Sequence, residues 1–198
     1  MSGRLNKLDN YIEQEKNSDA EFNSLNGVVL LKHSSIDFIQ IIQILNQIKS
    51  DHFIDVLYIS FVRSYKYMRT ALEFNPLHKK RILFIDCVSG YAFPDEDKID
   101  DCFYHKPPSN ISEMERIILF GIEKVNPDIV VIDSLSQYIS FSKSNIKDTI
   151  NLIDLIRATI EGKNSLKKLT FILLYDTKLG MYHDISSITS SVDVSIDI

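Results

Sequence analysis

The chain alternates short apolar runs with amphipathic segments of helical period. Each run is five to eight residues long, and most are apolar almost throughout. Strands that are apolar on both faces are typical of a parallel sheet covered by helices on both sides. The sequence therefore predicts an α/β fold, a three-layer αβα sandwich around a mostly parallel sheet. The runs are GVVLL (27–31), VLYISF (56–61), RILFID (81–86), DIVVID (128–133), LTFILLYD (169–176) and VDVSIDI (192–198).

Four helices are predicted between these runs. Ser34 or Ser35 is expected to cap the first, and Ser112 with Glu115 has the spacing of a capping box at the start of the third, which stops at Pro127. The apolar positions that carry the helical period are Ile36, Ile39, Ile42, Leu45 and Ile48 in the first helix, Tyr65, Met68 and Leu72 in the second, Ile117, Ile118 and Val125 in the third, and Ile146, Ile150 and Ile153 in the fourth, about 145–161.

The two ends of the chain differ from the rest. In the last run, apolar residues alternate with Asp193, Ser195 and Asp197, which predicts a half-exposed strand at an edge of the sheet. Residues 1–25 are polar, with one short helical signal in Leu5, Leu8 and Ile12. We expect a tail or docking helix over 1–25 and a single domain over 26–198.

Composition limits the function classes. The chain has 198 residues, of which 44% are hydrophobic, and a formal net charge of −5, which does not favour a dedicated nucleic-acid binder. No apolar run approaches the length of a membrane span, and the N-terminus has no signal-peptide pattern, so we expect a cytoplasmic protein with no membrane contact. Cys87 and Cys102 do not form a zinc-binding pair.

Ligands of open parallel sheets bind at the carboxyl ends of the strands, and several strands here end in charged residues. Asp86, Asp133 and Asp176 each close a strand, and Ser134 follows the second of them. Together these residues are candidate ligands for Mg²⁺. The alternative is structural, because Asp and Ser are also common turn and cap residues after strands.

The first strand-to-helix turn, LLKHSSIDF, lacks the features of a phosphate loop. It has no glycine, and its lysine precedes the turn instead of starting the helix. We therefore do not expect a tightly bound nucleoside triphosphate. Lys32, His33, Ser34 and Ser35 are candidates for holding a single anion at the helix N-terminus.

Several of these segments, taken in order, resemble the RecA superfamily, nearest its KaiC-like and RadA-like ATPases, over about residues 26–198. VVLL followed directly by a helix, VLYISFVRS, RILFID and the closing ITSSVDVSIDI are similar to strands of that family. PDIVVIDSLS resembles its metal-binding strand, with Asp133 at the acidic position. The chain departs from the family in two respects: the phosphate loop is missing, and Val62 and Arg63 stand where KaiC-like proteins carry a catalytic glutamate pair.

The resemblance implies a P-loop NTPase-type sheet whose nucleotide site is inactivated. Because phosphoryl transfer needs the phosphates held by cradle, lysine and metal together, we expect no catalytic residue and no cofactor. The expected role is regulatory or structural, through a protein partner or homo-oligomer, in signal transduction. The excursion at 91–108 is either a docking loop or a loop folded onto its own small core. The alternative within the same fold is an ATPase that holds ATP and Mg²⁺ weakly.

Two further interpretations stay open at the level of sequence. A nucleic-acid-binding paralogue, in recombination, repair or RNA modification, would use Arg63, Lys66 and Arg69, with Lys79, Lys80 and Arg81 at the opposite end of the sheet. A metal-assisted hydrolase would combine the three strand-end aspartates with His183 or His33 as general base.

Overall fold

A computed structural model describes residues 27–48, 50–91, 101–162, 168–179 and 185–198. Three sequence-based predictions fall wholly or partly outside this range. They concern the docking segment at 1–25, His183 as a base, and the middle of the excursion at 91–108.

The described residues form seven strands and six α-helices. The strands are β1 (Gly27–His33), β2 (Ile54–Ser60), β3 (Lys80–Asp86), β4 (Cys102–Tyr104), β5 (Ile129–Asp133), β6 (Thr170–Asp176) and β7 (Val194–Asp197). The helices are α1 (Phe38–Gln47), α2 (Tyr65–Phe74), α3 (Ile111–Val125), α4 (Leu135–Ser142), α5 (Ile146–Gly162) and α6 (Ile185–Ser190).

All seven strands run parallel in one sheet, in the order β4-β3-β2-β5-β6-β1-β7. Helices α1 and α2 pack on one face, around Phe38, Tyr58 and Phe84. Helices α3 to α6 cover the other face, around Leu57 and Ile132. The predicted three-layer αβα sandwich around a parallel sheet is confirmed, and so is the place of the last strand at an edge.

Helix starts differ from the prediction in two places. Asp37, not Ser34 or Ser35, caps α1, because its Oδ1 accepts the Gln40 N–H at 2.8 Å while the Gln40 side chain accepts the Asp37 N–H at 2.9 Å. Asn110, not Ser112, caps α3 by accepting the Glu113 N–H at 3.0 Å. In both cases the sequence offers several capping residue types within four positions, and the backbone path selects one of them.

Three short elements were not predicted. Strand β4 lies inside the excursion at 91–108 and pairs with β3, where Cys102 stands opposite Phe84. Helices α4 and α6 are the other two, and each is eight residues or shorter. Elements of this length carry too few periodic positions to be distinguished from loops by pattern alone. Within the described ranges, no helix combines the length and apolar character needed to cross a bilayer.

Candidate functional site

The strand ends that were predicted to carry a ligand site lie together at the carboxyl-terminal end of the sheet. In the strand register, Ser60 at the end of β2 stands between Asp86 of β3 and Asp133 of β5. His33 of β1 stands opposite Asp176 of β6. Parallel pairing therefore brings these strand-end residues to the same end of the sheet, as expected.

Asp133 is buried at this end of the sheet, and two neighbouring side chains bind it. The Tyr58 hydroxyl donates to Asp133 Oδ2 at 2.6 Å, and Arg63 Nη1 forms an ion pair with the same oxygen. The second guanidinium nitrogen, Nη2, donates to the carbonyl oxygen of Ile36 in the turn between β1 and α1. Arg63 thus links the predicted metal strand to the turn where the resemblance places a phosphate loop.

The surroundings keep this network in a fixed charge state. The side chains of Asp133 and Arg63 are only 2% and 13% exposed. Burial lowers the pKa of the guanidinium, but the Asp133 carboxylate more than offsets this, so the pKa of Arg63 is raised. Burial, followed by the charge of Asp133, raises the pKa of Tyr58 well above its usual value. The phenol is therefore a neutral donor and the arginine a permanent cation.

Asp86 holds the turn that follows β3. Its Oδ1 accepts the N–H groups of Val88 and Ser89, both at 2.8 Å. Its Oδ2 accepts the Tyr65 N–H at 2.7 Å and the Ser89 hydroxyl at 2.6 Å. Four donors occupy this buried carboxylate, which matches the structural alternative for a strand-end aspartate.

The remaining metal candidates also serve local structure. Ser134 caps α4 by accepting the Gln137 N–H at 3.1 Å, and Asp176 Oδ1 accepts the Lys178 N–H at 2.8 Å. Asp86 and Asp133 lie on strands separated by β2, which puts them roughly 10 Å apart. Among the described residues, no group of three or more His, Cys, Asp or Glu side chains could hold a metal ion.

The four anion-site candidates do not converge. Successive side chains of a strand point to opposite faces, which separates Lys32 from His33. Lys32 forms an ion pair with Asp197 of β7 at 3.0 Å. His33 is buried on the side of α1, and Ser34 and Ser35 are exposed in the turn.

The basic residues of the nucleic-acid interpretation also lie at separate places in the structure. Arg63 is committed to Asp133. Lys66 and Arg69 are exposed on α2, where Arg69 lies 3.9 Å from Glu73. Tyr65 is a core residue, as predicted. At the opposite end of the sheet, Arg81 pairs with Asp55 through two hydrogen bonds of 2.7 and 3.0 Å.

The role of Tyr58 was not predicted from the sequence. Arg63 was a candidate only in the alternative nucleic-acid interpretation, and in the structure it binds Asp133. One available signal was that Tyr58 and Arg63 lie close to the end of β2, one shortly before it and the other shortly after it. In the sheet, β2 is the neighbour of β5, which ends in Asp133. Using that signal would have required the order of strands β2 and β5, which the sequence does not state.

No protein-family model matches this chain, and no curated protein matches it.

Proposed function

We propose that this chain is a non-catalytic RecA-like domain that acts as a regulatory or scaffold subunit through protein contacts. The observation that carries the proposal is the ion pair between Arg63 and Asp133. A cation supplied by the protein itself lies against the carboxylate that would otherwise ligate a metal.

The chemistry of phosphoryl transfer supports this proposal. Hydrolysis requires a divalent cation and a cradle of N–H groups around the phosphates. A metal at Asp133 would have to displace a guanidinium that is anchored at two points, on Asp133 and on the Ile36 carbonyl. The turn itself has no glycine with which to wrap a phosphate chain.

Two surface aromatics support a role in protein contact. Phe53 and Phe74 are 65% and 80% exposed. Phe53 precedes β2, and Phe74 ends α2, so both lie toward the end of the sheet opposite Asp133. Exposed aromatic side chains are enriched at protein interfaces. We propose a protein partner or a second copy of this chain, within a signalling pathway.

A thermal-shift titration with ATP, ADP and GTP, each with and without Mg²⁺, tests the inactivated site. We expect no shift that depends on Mg²⁺, because a ligand that prefers the native state must raise the melting temperature. ATP turnover should equal that of Asp133→Ala. The matched control is Arg69→Ala, which removes an exposed arginine and should behave as wild type.

A positive result would contradict the proposal in a recognisable way. Turnover that persists through purification and disappears in an Asp133→Ala protein that is still folded by circular dichroism would return this residue to catalysis. The contact role is tested separately, by crosslinking or sedimentation of the wild type and of the Phe53→Ser/Phe74→Ser variant. Identical association of the two proteins would show that these aromatics are not the interface.

A further inference from the structure

A cavity of about 270 Å³ lies between α1 and the residue that follows β7. Its wall combines apolar and uncharged polar side chains, including His33, Ile36, Gln43, Ile44, Gln47 and Ile198. The helical residues that line it run from Gln40 to Gln47, so the cavity follows α1 for about 10 Å. This places most of it away from the pair formed by Arg63 and Asp133.

His33 is the feature of this cavity that local structure does not explain. The residue is only 7% exposed, and within the described part of the chain neither ring nitrogen has a hydrogen-bond partner. Gln47 Oε1, farther along the same wall, is likewise buried without a donor among those residues. By contrast, Gln40 uses its side chain to cap α1.

Buried polar atoms in native proteins are nearly always paired, since leaving one unpaired costs stability. Two imidazole nitrogens and an amide oxygen on the same cavity, all unpaired among the described residues, therefore point to a bound partner.

The wall also indicates the charge of that partner. Burial lowers the pKa of His33, an effect that nearby Asp176 and Asp133 oppose and Arg63 supports. The imidazole is neutral near pH 7 and offers one donor and one acceptor. No Asp, Glu, Lys or Arg side chain is among the described residues that line the cavity.

We propose that this cavity binds a small uncharged molecule that carries an amide or a nitrogen heterocycle. Such a group presents a donor and an acceptor to His33 and a donor to Gln47, while its carbon skeleton packs on Ile36, Ile44 and Ile198. The cavity lies just below the usual size range of ligand pockets, which favours a compact ligand. This site goes beyond the scaffold role.

NMR of the full chain with ¹⁵N-labelled histidine tests the site directly. The probes are nicotinamide, adenine and N-acetylleucine amide, and nicotinate serves as the charged counterpart of nicotinamide. We expect at least one neutral probe to shift the His33 ring resonances at millimolar concentration, and nicotinate to shift them much less.

Variants localise the effect. Gln47→Met, and His33→Phe when binding is followed by broadening of the probe's own resonances, should each weaken binding about tenfold, the loss expected when a buried hydrogen bond is removed. His78→Phe, which alters an exposed histidine elsewhere, should leave binding unchanged. Probe binding to the Gln47→Met variant is followed on His33 itself, so a poorly folded His33→Phe protein does not block the test.

Two results would overturn the proposal. The first is an unchanged His33 resonance with all three neutral probes, which would mean that water alone solvates the imidazole. The second is equal binding of nicotinate and nicotinamide, which would show that the cavity does not select uncharged molecules. Neither result bears on the ATP titration, whose diagnostic is dependence on Mg²⁺ and on Asp133.

Discussion

At Asp133, a single carboxylate oxygen accepts hydrogen bonds from Tyr58 and Arg63. The tyrosine comes from the neighbouring strand β2, and the arginine from the loop that follows it. Burying a carboxylate without a partner is costly, so its protein partners decide whether Asp133 is tolerated there. Arg63 thus gives this buried carboxylate a partner of opposite charge within the protein.

We predict that Asp133→Ala destabilises the protein by about 3–5 kcal/mol, because it leaves the Arg63 charge buried and unpaired. The double variant Asp133→Leu/Arg63→Met should lose less than Asp133→Ala, since no charge is left without its partner. Urea denaturation of the wild type, the single variants and the double variant measures both effects. A double variant less stable than Asp133→Ala would contradict this account.

His33 should make stability depend on pH. Its pKa in the folded protein lies below the ordinary value of 6.5, chiefly because of burial. The unfolded chain therefore binds the proton more readily, and the contribution of His33 is fully present above pH 6.5 and decreases as the pH falls below it. Asp133 and Asp176 face the ring and limit the effect, and Arg63 adds to it.

The measurement is the free energy of unfolding between about pH 7.5 and pH 5, for the wild type and for His33→Phe. We expect a shallower decrease in the variant. His52→Phe, which removes an exposed imidazole, is the control and should keep the wild-type slope. Equal slopes for the wild type and His33→Phe would show that the ring does not titrate as inferred.

At the scale of elements, α3 packs closely against the sheet through Gly121. A Cβ atom at this position would lie 2.5 Å from Leu57 Cδ2 and 3.0 Å from Ile85 Cδ1. Both neighbours are buried in the core, so they have little room to move. The glycine therefore sets the distance between helix and strand, although it is unfavourable for helix propensity.

Gly121→Ala tests this packing. Alanine should add about 1 kcal/mol of helix propensity, but overpacking of this kind costs about 1–3 kcal/mol, so we expect a net loss of roughly 1 kcal/mol. Gly162→Ala is a matched control, because a Cβ there would meet no described residue within 4 Å. Thermal or urea unfolding of the two variants distinguishes the outcomes. A stabilised Gly121→Ala protein would mean that Leu57 and Ile85 can rearrange.

For the whole molecule, the order of strands sets a gradient of local stability from the centre of the sheet to its edges. Strands β3, β2, β5, β6 and β1 each pair on both sides, whereas β4 and β7 lie at the two edges. β7 is held in part by Asp193 just before it, which accepts the Val28 N–H at 2.7 Å and binds Arg157 at 3.0 Å. Local opening is expected to begin where pairing is one-sided.

Native-state hydrogen exchange should resolve this gradient. Amides of β5 and β6 should exchange only through global unfolding, and amides of β7 should exchange faster by a local route. Asp193→Ala should accelerate exchange in β7 while leaving β5 unchanged. Exchange of β7 as slow as that of β5 would contradict the gradient.

Period and composition were sufficient to determine the class of fold. Apolar runs separated by helical patterns require a parallel sheet with helices on both sides, because only that arrangement buries both faces of each strand. The same pattern identified the edge strand and the strand-end residues Asp86, Asp133 and Asp176. These results depend on local period, which the chain carries by itself.

Only the tertiary structure decided what those residues do. Placing β2 beside β5 brings Arg63 and Tyr58 to Asp133, and the strand alternation turns His33 away from Lys32 toward the cavity beside α1. The choice of Asp37 as the cap of α1 and the pairing of β4 also depended on the path of the backbone in space. Partners distant in sequence leave no periodic signal, because their contact arises only once the strands have taken their order in the sheet.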